Sequence, residues 1–392
     1  MSEFKGSNWN LVFSGVKGAP KTHCSNQGGS PHTTLWKTDV IAEKPYIVQR
    51  DDKFFLKVPK LERDKLGITT AEWNFADEFD FAHVFVAHPQ NTADEITTKL
   101  DEGKKVVFQP GVYNLTDSIK VNREGAVLLG IGMATLVSST GKPCIVVGDV
   151  DNVRVAGLLL EAGPVNSAYL LVWGSKKEQG DLNLPGVMSD VYVRAGGPNH
   201  QQETPTSCDV MVEINRSGTI IDNTWLWRAD HDIDGSVTDL RNPSQTGLKV
   251  NGDYVTAYGL MVEHHLQNLV EWRGNYGKTV MYQSEFPYDA DTTYADNGYV
   301  SYYVDESVTD HQAYGVGAYA FFRDHPVIVE NAIKVPEKKG MEFTNSLSVF
   351  LWGQENSGIR HVISGKGRSV GMHTDRVNWV CSYDPELYDG EG

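Results

Sequence analysis

The chain is 392 residues long and carries 35 Lys and Arg against 51 Asp and Glu, a formal net charge of −16. Such acidity disfavours nucleic acid, which is held by clustered cations and counterion release, and no apolar run reaches the ~18 residues of a membrane span. Hydrophobic residues at 40% with charged residues at 22% supply a core and exclude wholesale disorder.

Residues 1–80 read as an extension of short strands and loops, and residues 81–392 as one domain. Within the extension, Phe54–Pro59 has the composition of a strand ended by proline, and Leu61–Leu66 that of a brief charged helix or turn. Over Asn91–Leu100, Ile96 and Leu100 recur at helical spacing, and Thr92 with Glu95 three residues later forms a capping box. One short helix is expected there, followed by a strand from Lys105 to Tyr113 interrupted at Pro110-Gly111.

Beyond that point helical periodicity all but disappears. Short β-rich segments recur instead, punctuated by Gly, Asn and Asp. Gly157–Glu161, Asp190–Arg194, Asn223–Arg228 and Tyr258–Glu263 look like one strand repeated, with starts 33, 33 and 35 residues apart and a further strand, Thr279–Glu285, 21 later. A β-sandwich turns more tightly, every ~8–12 residues, and an α/β fold needs repeated helices. The expected fold is all-β: a right-handed parallel β-helix, a pectate-lyase-like solenoid, with Asn91–Leu100 as its N-terminal capping helix. Val349–Trp352 and Ile359–Ile363 read as further strands.

Four cysteines, Cys24, Cys144, Cys208 and Cys381, lie too far apart for a CxxC motif and leave room for one or two bridges without fixing a pairing. The opening MSEFKGSNWN lacks the basic and apolar regions of a signal peptide, while Asn114 and Asn215 stand in sequons. Compartment and oligomeric state are left open.

In such a solenoid, equivalent positions of successive coils stack about 4.8 Å apart. Glu263 and Glu285 are 22 residues apart, about one coil, and each ends an apolar strand. Two carboxylates so placed repel, and one holds its proton above the usual carboxyl range, as a glycosidase general acid must. The bland alternative is two solvated glutamates at strand ends. One coil earlier, Asp230, His231 and Asp232 sit near His264 and His265 in sequence order, at a spacing that fits no standard metal motif; neither a metal nor a cofactor is expected. Trp225, Trp227, Trp272, Tyr282, Phe286, Tyr288, Tyr294, Tyr299, Tyr302 and Tyr303 crowd the same region, some to stack on sugar rings and some to fill the core.

Several ordered motifs together carry a resemblance. Val106–Tyr113, Asp190–Gly197, Asn223–Asp234, Asn242–Thr246, Glu263-His264 and Gln283–Tyr288 resemble the β-1,3-glucanases of glycoside hydrolase family 55, over roughly residues 85–330. The resemblance implies an inverting, exo-acting hydrolase that releases glucose from laminarin-type β-1,3-glucan. It puts the general acid on Glu285, in Glu285-Phe-Pro-Tyr288, and a water-holding glutamate on Glu263. The candidate substrate-binding set is Trp227, Asp230, His231, His264, Gln283, Tyr288 and Asp289, with a poly- or oligosaccharide as partner, and the substrate class suggests secretion. Two departures stand out: the family usually has two tandem β-helices with the site between them, of which this chain resembles the second, and Arg228 stands where a smaller polar residue is expected. The competing functions are a lyase on acidic glycan, which the scarcity of Lys and Arg near the glutamates opposes, and a non-catalytic β-helical attachment or carbohydrate-binding protein.

Overall fold

The computed structural model describes residues 10–24, 31–67, 76–175, 179–196, 205–231 and 237–385. Two large sheets dominate it, one of thirteen strands and one of ten. From Arg154 onward the chain alternates between them, so each circuit adds one rung to both and pairs in parallel with the circuit before. The result is a parallel β-helix.

The larger sheet owes its shape to one backbone position per coil. Gly157, Asp190, Asn223, Gly259, Met281, Gly315 and Asn345 all have left-handed φ values, between 51° and 66°. The strand registers stack them directly above one another. Glycine adopts this conformation freely, and Asn and Asp tolerate it better than other residues. Asn223 adds a side-chain bond, its Nδ2 donating to Asp190 Oδ1 at 2.6 Å. This column folds every long strand into two faces, and the ten-strand sheet supplies a third.

Inside the coil, inward side chains such as Leu226, Leu260, Val262, Leu248 and Val270 build one continuous core. At the start, helix Ala93–Asp101 buries Ala93, Ile96 and Leu100 and lies against Ile119–Val121, the terminal strand of the ten-strand sheet. Its Thr92–Glu95 capping box forms as the sequence predicts. At the far end, Val377–Tyr383 turns antiparallel to Met341–Gly353.

The N-terminal strands pack on the face that precedes the bend. Val12, Leu35, Val40, Ala42 and Leu61 meet Val187, Ile220, Tyr258, Val280 and Tyr314, and the Tyr258 hydroxyl donates to the Val40 carbonyl at 2.8 Å. Ion pairs Lys44–Asp190 and Lys278–Asp39 edge this contact. A disulfide, Cys24–Cys381, ties the segment to the last strand, while Cys144 and Cys208 are free and buried.

Two local expectations are corrected. Leu61–Leu66 is not a helix or turn: Glu62–Lys65 is a strand antiparallel to Thr38–Ile41. Its stabilising partner lies some twenty residues upstream, beyond the reach of local pattern. A second short helix, Thr292–Asp296, also exists, started by Asp291, whose side chain accepts from the Thr293 and Tyr294 N–H groups.

Candidate active site

Past the bend, the outward side chains of the larger sheet form two parallel columns. One runs Glu161, Arg194, Trp227, Glu263, Glu285, Tyr319, and the other Leu159, Tyr192, Trp225, Met261, Gln283, Gly317. Period-two alternation puts Trp225 with Trp227 and Gln283 with Glu285 on the same face. Glu263 and Glu285 are direct register partners on adjacent strands. The N-terminal strands cover the first face, and on this second face, among the described residues, Met133, Leu159, Tyr192, Trp225, Trp227 and Met261 line an apolar groove of about 480 Å³ beside the two glutamates.

Each glutamate is held by one aromatic donor. The Trp225 indole N–H donates to Glu263 Oε2 at 2.9 Å, and the Tyr288 hydroxyl donates to Glu285 Oε2 at 2.5 Å. Glu263 is only 8% exposed, whereas Glu285 is half-buried. Burial pushes the Glu263 carboxyl up to about 8, the charge of Glu285 pushes it the same way, and the Trp225 bond opposes both. Burial also raises Glu285, against the Tyr288 bond, with Asp230 adding to the rise. The two groups titrate as a pair, and the pair retains a proton well above the usual carboxyl range.

Asp230 is the third carboxylate of the site. It accepts from Trp227 Nε1 at 3.1 Å, touches His231 Nδ1 at 2.6 Å, and lies 3.7 Å from His264 Nε2. His264 donates its Nδ1–H to the Phe286 carbonyl at 3.2 Å, and its ring meets Tyr288 edge-on at 4.3 Å. Burial drives its pKa down to about 4, so it is a neutral imidazole at pH 7. Tyr288 in turn packs on Phe321, with the Arg323 guanidinium over its ring at 5.7 Å.

The structure therefore gathers Trp227, Asp230, His231, Glu263, Gln283, Glu285 and Tyr288 on or beside one face. Two of the expected substrate-binding residues are the most deeply buried of the set, His264 at 1% and Asp289 at 3% exposed. Asp289 is consumed by a bidentate ion pair with Arg228 at 2.8 and 2.7 Å. Burial would raise its carboxyl, but the Arg228 guanidinium and the Leu240 N–H outweigh this and hold it below its ordinary value. Asp232 lies outside the described residues. Trp272, Tyr282, Phe286, Tyr294 and Tyr302 belong to the core, not to a sugar platform. Sequence reasoning left Trp225, Tyr192, Arg194 and Met133 out of the site. Trp225 could have been found from its i−2 relation to Trp227, the others only from the rung register.

Residues 84–285, more than half of the chain, match the LAM55 pectate lyase-like domain. An exo-beta-1,3-glucanase of Streptomyces sp. SirexAA-E is 37% identical over 383 residues, which is 96% of this chain and 61% of that protein. A glucan 1,3-beta-glucosidase of Cochliobolus carbonum is 21% identical across 72% of this chain and 41% of its own length. The solved structure of sacteLam55A from Streptomyces sp. SirexAA-E superposes with a TM-score of 0.88 at 36% identity, covering 96% of this chain and 68% of that one. A glutamate-to-alanine variant of the same protein, solved in complex with glucose, gives a TM-score of 0.87. The chain thus spans about three-fifths of the curated Streptomyces relative. The span of the domain match and the extent of the 36% identical superposition make this chain a member of the LAM55 family, the laminarinase-type glycoside hydrolases of family 55.

Proposed function

We propose that the chain hydrolyses β-1,3-glucan of the laminarin type, acting from a chain end with inversion, Glu285 serving as general acid and Glu263 as the holder of the attacking water. The observation that carries this reading is the glutamate pair itself: register partners, desolvated together, held by Trp225 and Tyr288, with Trp225 also lining the neighbouring apolar cavity. Indole and phenol faces suit the C–H side of a glucosyl ring.

Access supports this division of roles. A glycosidic oxygen arrives on a bulky sugar and needs the carboxyl that opens to the groove, which is Glu285. A water molecule is small enough for the deeper Glu263. Tyr288 occupies Glu285 Oε2 and leaves Oε1 to carry the proton; Trp225 occupies Glu263 Oε2 and leaves Oε1 for water. In the reacting form the pair's one proton sits on Glu285 and Glu263 is ionised; as the bond breaks, Glu285 delivers that proton to the leaving oxygen. Water held at Glu263 loses a proton to it and adds to the opposite face of the oxocarbenium-like centre. Strands about 4.8 Å apart with diverging side chains accommodate the roughly 6.5–9.5 Å carboxyl separation of an inverting pair. Trp227, Asp230, His231, Gln283 and Tyr288 would bind the sugar, with a glucan as partner.

Three wider readings go with this one. The coil is taken as right-handed with helix Ala93–Asp101 as its cap, the hand found for nearly all parallel crossovers. Residues 1–80 are taken as an extension clasped onto a domain of residues 81–392, supported by the apolar contact around Tyr258. Secretion is supported by the Cys24–Cys381 bridge, since such bonds persist in oxidising compartments.

Incubation with laminarin, pectate and alginate tests the proposal. Glucose from laminarin, lost in Glu285→Gln, is the expected result. Unsaturated products from pectate or alginate would overturn it in favour of a lyase, and no product from any glycan in favour of a binding protein.

A further inference from the structure

One buried side chain ties together the segments that leave the catalytic strands. Arg228 ends the strand Ile220–Arg228 and is 0% exposed. All five of its N–H groups are used. Nη1 and Nη2 grip the Asp289 carboxylate at 2.8 and 2.7 Å, and Nε and Nη2 donate to the Arg241 carbonyl at 3.0 and 2.8 Å. The remaining Nη1 hydrogen reaches the His264 carbonyl at 3.3 Å. Asp289 Oδ2 also accepts from the Leu240 N–H at 2.9 Å.

The addresses of these bonds matter more than their number. His264 directly follows Glu263 and sits at a left-handed φ of 66°, a conformation a histidine keeps only when its surroundings hold it there. Asp289 directly follows Tyr288, whose hydroxyl donates to Glu285. The backbone joins the same two segments, the His264 N–H donating to the Glu285 carbonyl at 2.8 Å. One guanidinium thus braces the residue after each glutamate's segment, together with the 237–242 loop.

Stability does not account for the arrangement. A buried ion pair repays its desolvation poorly, and apolar residues of similar volume commonly serve a fold as well or better. A planar fork, by contrast, fixes direction at both ends.

We propose that Arg228, through its paired bonds to Asp289, is a positioning residue that sets the separation of Glu263 and Glu285. The inference rests on the reading of those two glutamates as acid and water holder. Neither Arg228 nor Asp289 meets the substrate. Apart from each other, the titratable groups facing the pair are Asp230, His231 and Tyr288, with Tyr319 one rung on. Arg228→Met/Asp289→Leu alters none of them.

The test reads this double variant in two independent ways. The first is a tryptophan fluorescence titration, assigned to the Trp225–Glu263 contact by its loss in Trp225→Phe. In the wild type its midpoint should lie near the value of about 8 set by burial of Glu263. In the double variant, with folding verified by circular dichroism, the midpoint should fall toward the ordinary carboxyl range as the pair separates and hydrates. The second is turnover of laminarin: kcat should drop by about a hundredfold, the cost of an ångström-scale misplacement, with KM held within about twofold. Arg228→Lys should fall between, keeping the charge and losing the fork. A folded double variant with the wild-type midpoint overturns the proposal; if it does not fold, an unchanged midpoint in Arg228→Lys does so. Should the wild type release no glucose, the hydrolase reading fails while the titration still decides whether Arg228 positions the pair.

Discussion

Replacing Glu263 by glutamine should change how stability depends on pH. In the folded chain its carboxyl is raised from an ordinary 4.5 to about 8, first by burial and then by the charge of Glu285. Once unfolded, the group releases its proton near the ordinary value. Between about pH 4.5 and 8 the native state therefore binds more protons than the unfolded state, and stability falls as pH rises through that window. At about 1.36 kcal/mol per pH unit, the rise amounts to an upper limit of about 5 kcal/mol. In Glu263→Gln the amide keeps an oxygen for the Trp225 N–H and carries no charge, so that loss is absent from the variant. Urea unfolding at pH 5, 6, 7 and 8, with the Cys24–Cys381 bond oxidised, measures both proteins. Titrating groups remote from the pair are common to the two proteins and largely cancel in the difference. The variant should gain on the wild type with each step, by several kcal/mol in total. Parallel curves would refute the reasoning, since Glu263 would then titrate in the folded chain as it does in the unfolded one.

Further outcomes follow from the same contacts. Trp225→Phe removes the one donor that favours ionised Glu263, so the coupled pair keeps its last proton to higher pH and the alkaline limb of the pH–rate profile should move upward; a downward move would contradict the hydrogen-bond assignment. Leu226→Ala empties a fully buried core position and should cost about 2–5 kcal/mol in urea unfolding. Gly259→Ala forces a Cβ onto a left-handed residue at φ 59°, where it meets the Asn223 backbone only at an ordinary contact distance of 3.8 Å, and should cost about 1–2 kcal/mol, read as a lower midpoint. Reduction of Cys24–Cys381, which closes a loop of separation 357, should lower stability by about 2–4 kcal/mol while leaving laminarin turnover unchanged below the melting point.

What could be read from the sequence divides along a physical line. The recurring Gly157, Asp190 and Asn223 were visible because a left-handed bend in every coil restricts residue choice at that position. The same bend at Met281 gives no such signal, and only the strand register reveals it. The pairing of Glu263 with Glu285 was legible because one coil converts a 22-residue spacing into a single rung. The Thr92 capping box is local, and it formed as expected. Side-chain direction after a strand ends was not legible. Asp289 and His264 follow the strands that carry the two glutamates, where alternation no longer applies, and both turn inward. Arg228 explains why: a buried cation at a strand end demands a carboxylate, and Asp289, 61 residues away, supplies it. The strand Glu62–Lys65 likewise depends on a distant partner, Thr38–Ile41.

The most direct test of the central claim is the anomeric form of the first glucose released from laminarin, followed by proton NMR before mutarotation sets in. An inverting Glu285–Glu263 pair acting on β-linkages predicts α-glucose first, with no signal from Glu285→Gln. Initial β-glucose would contradict the water-holding role of Glu263, and undiminished release by Glu285→Gln would contradict its role as acid.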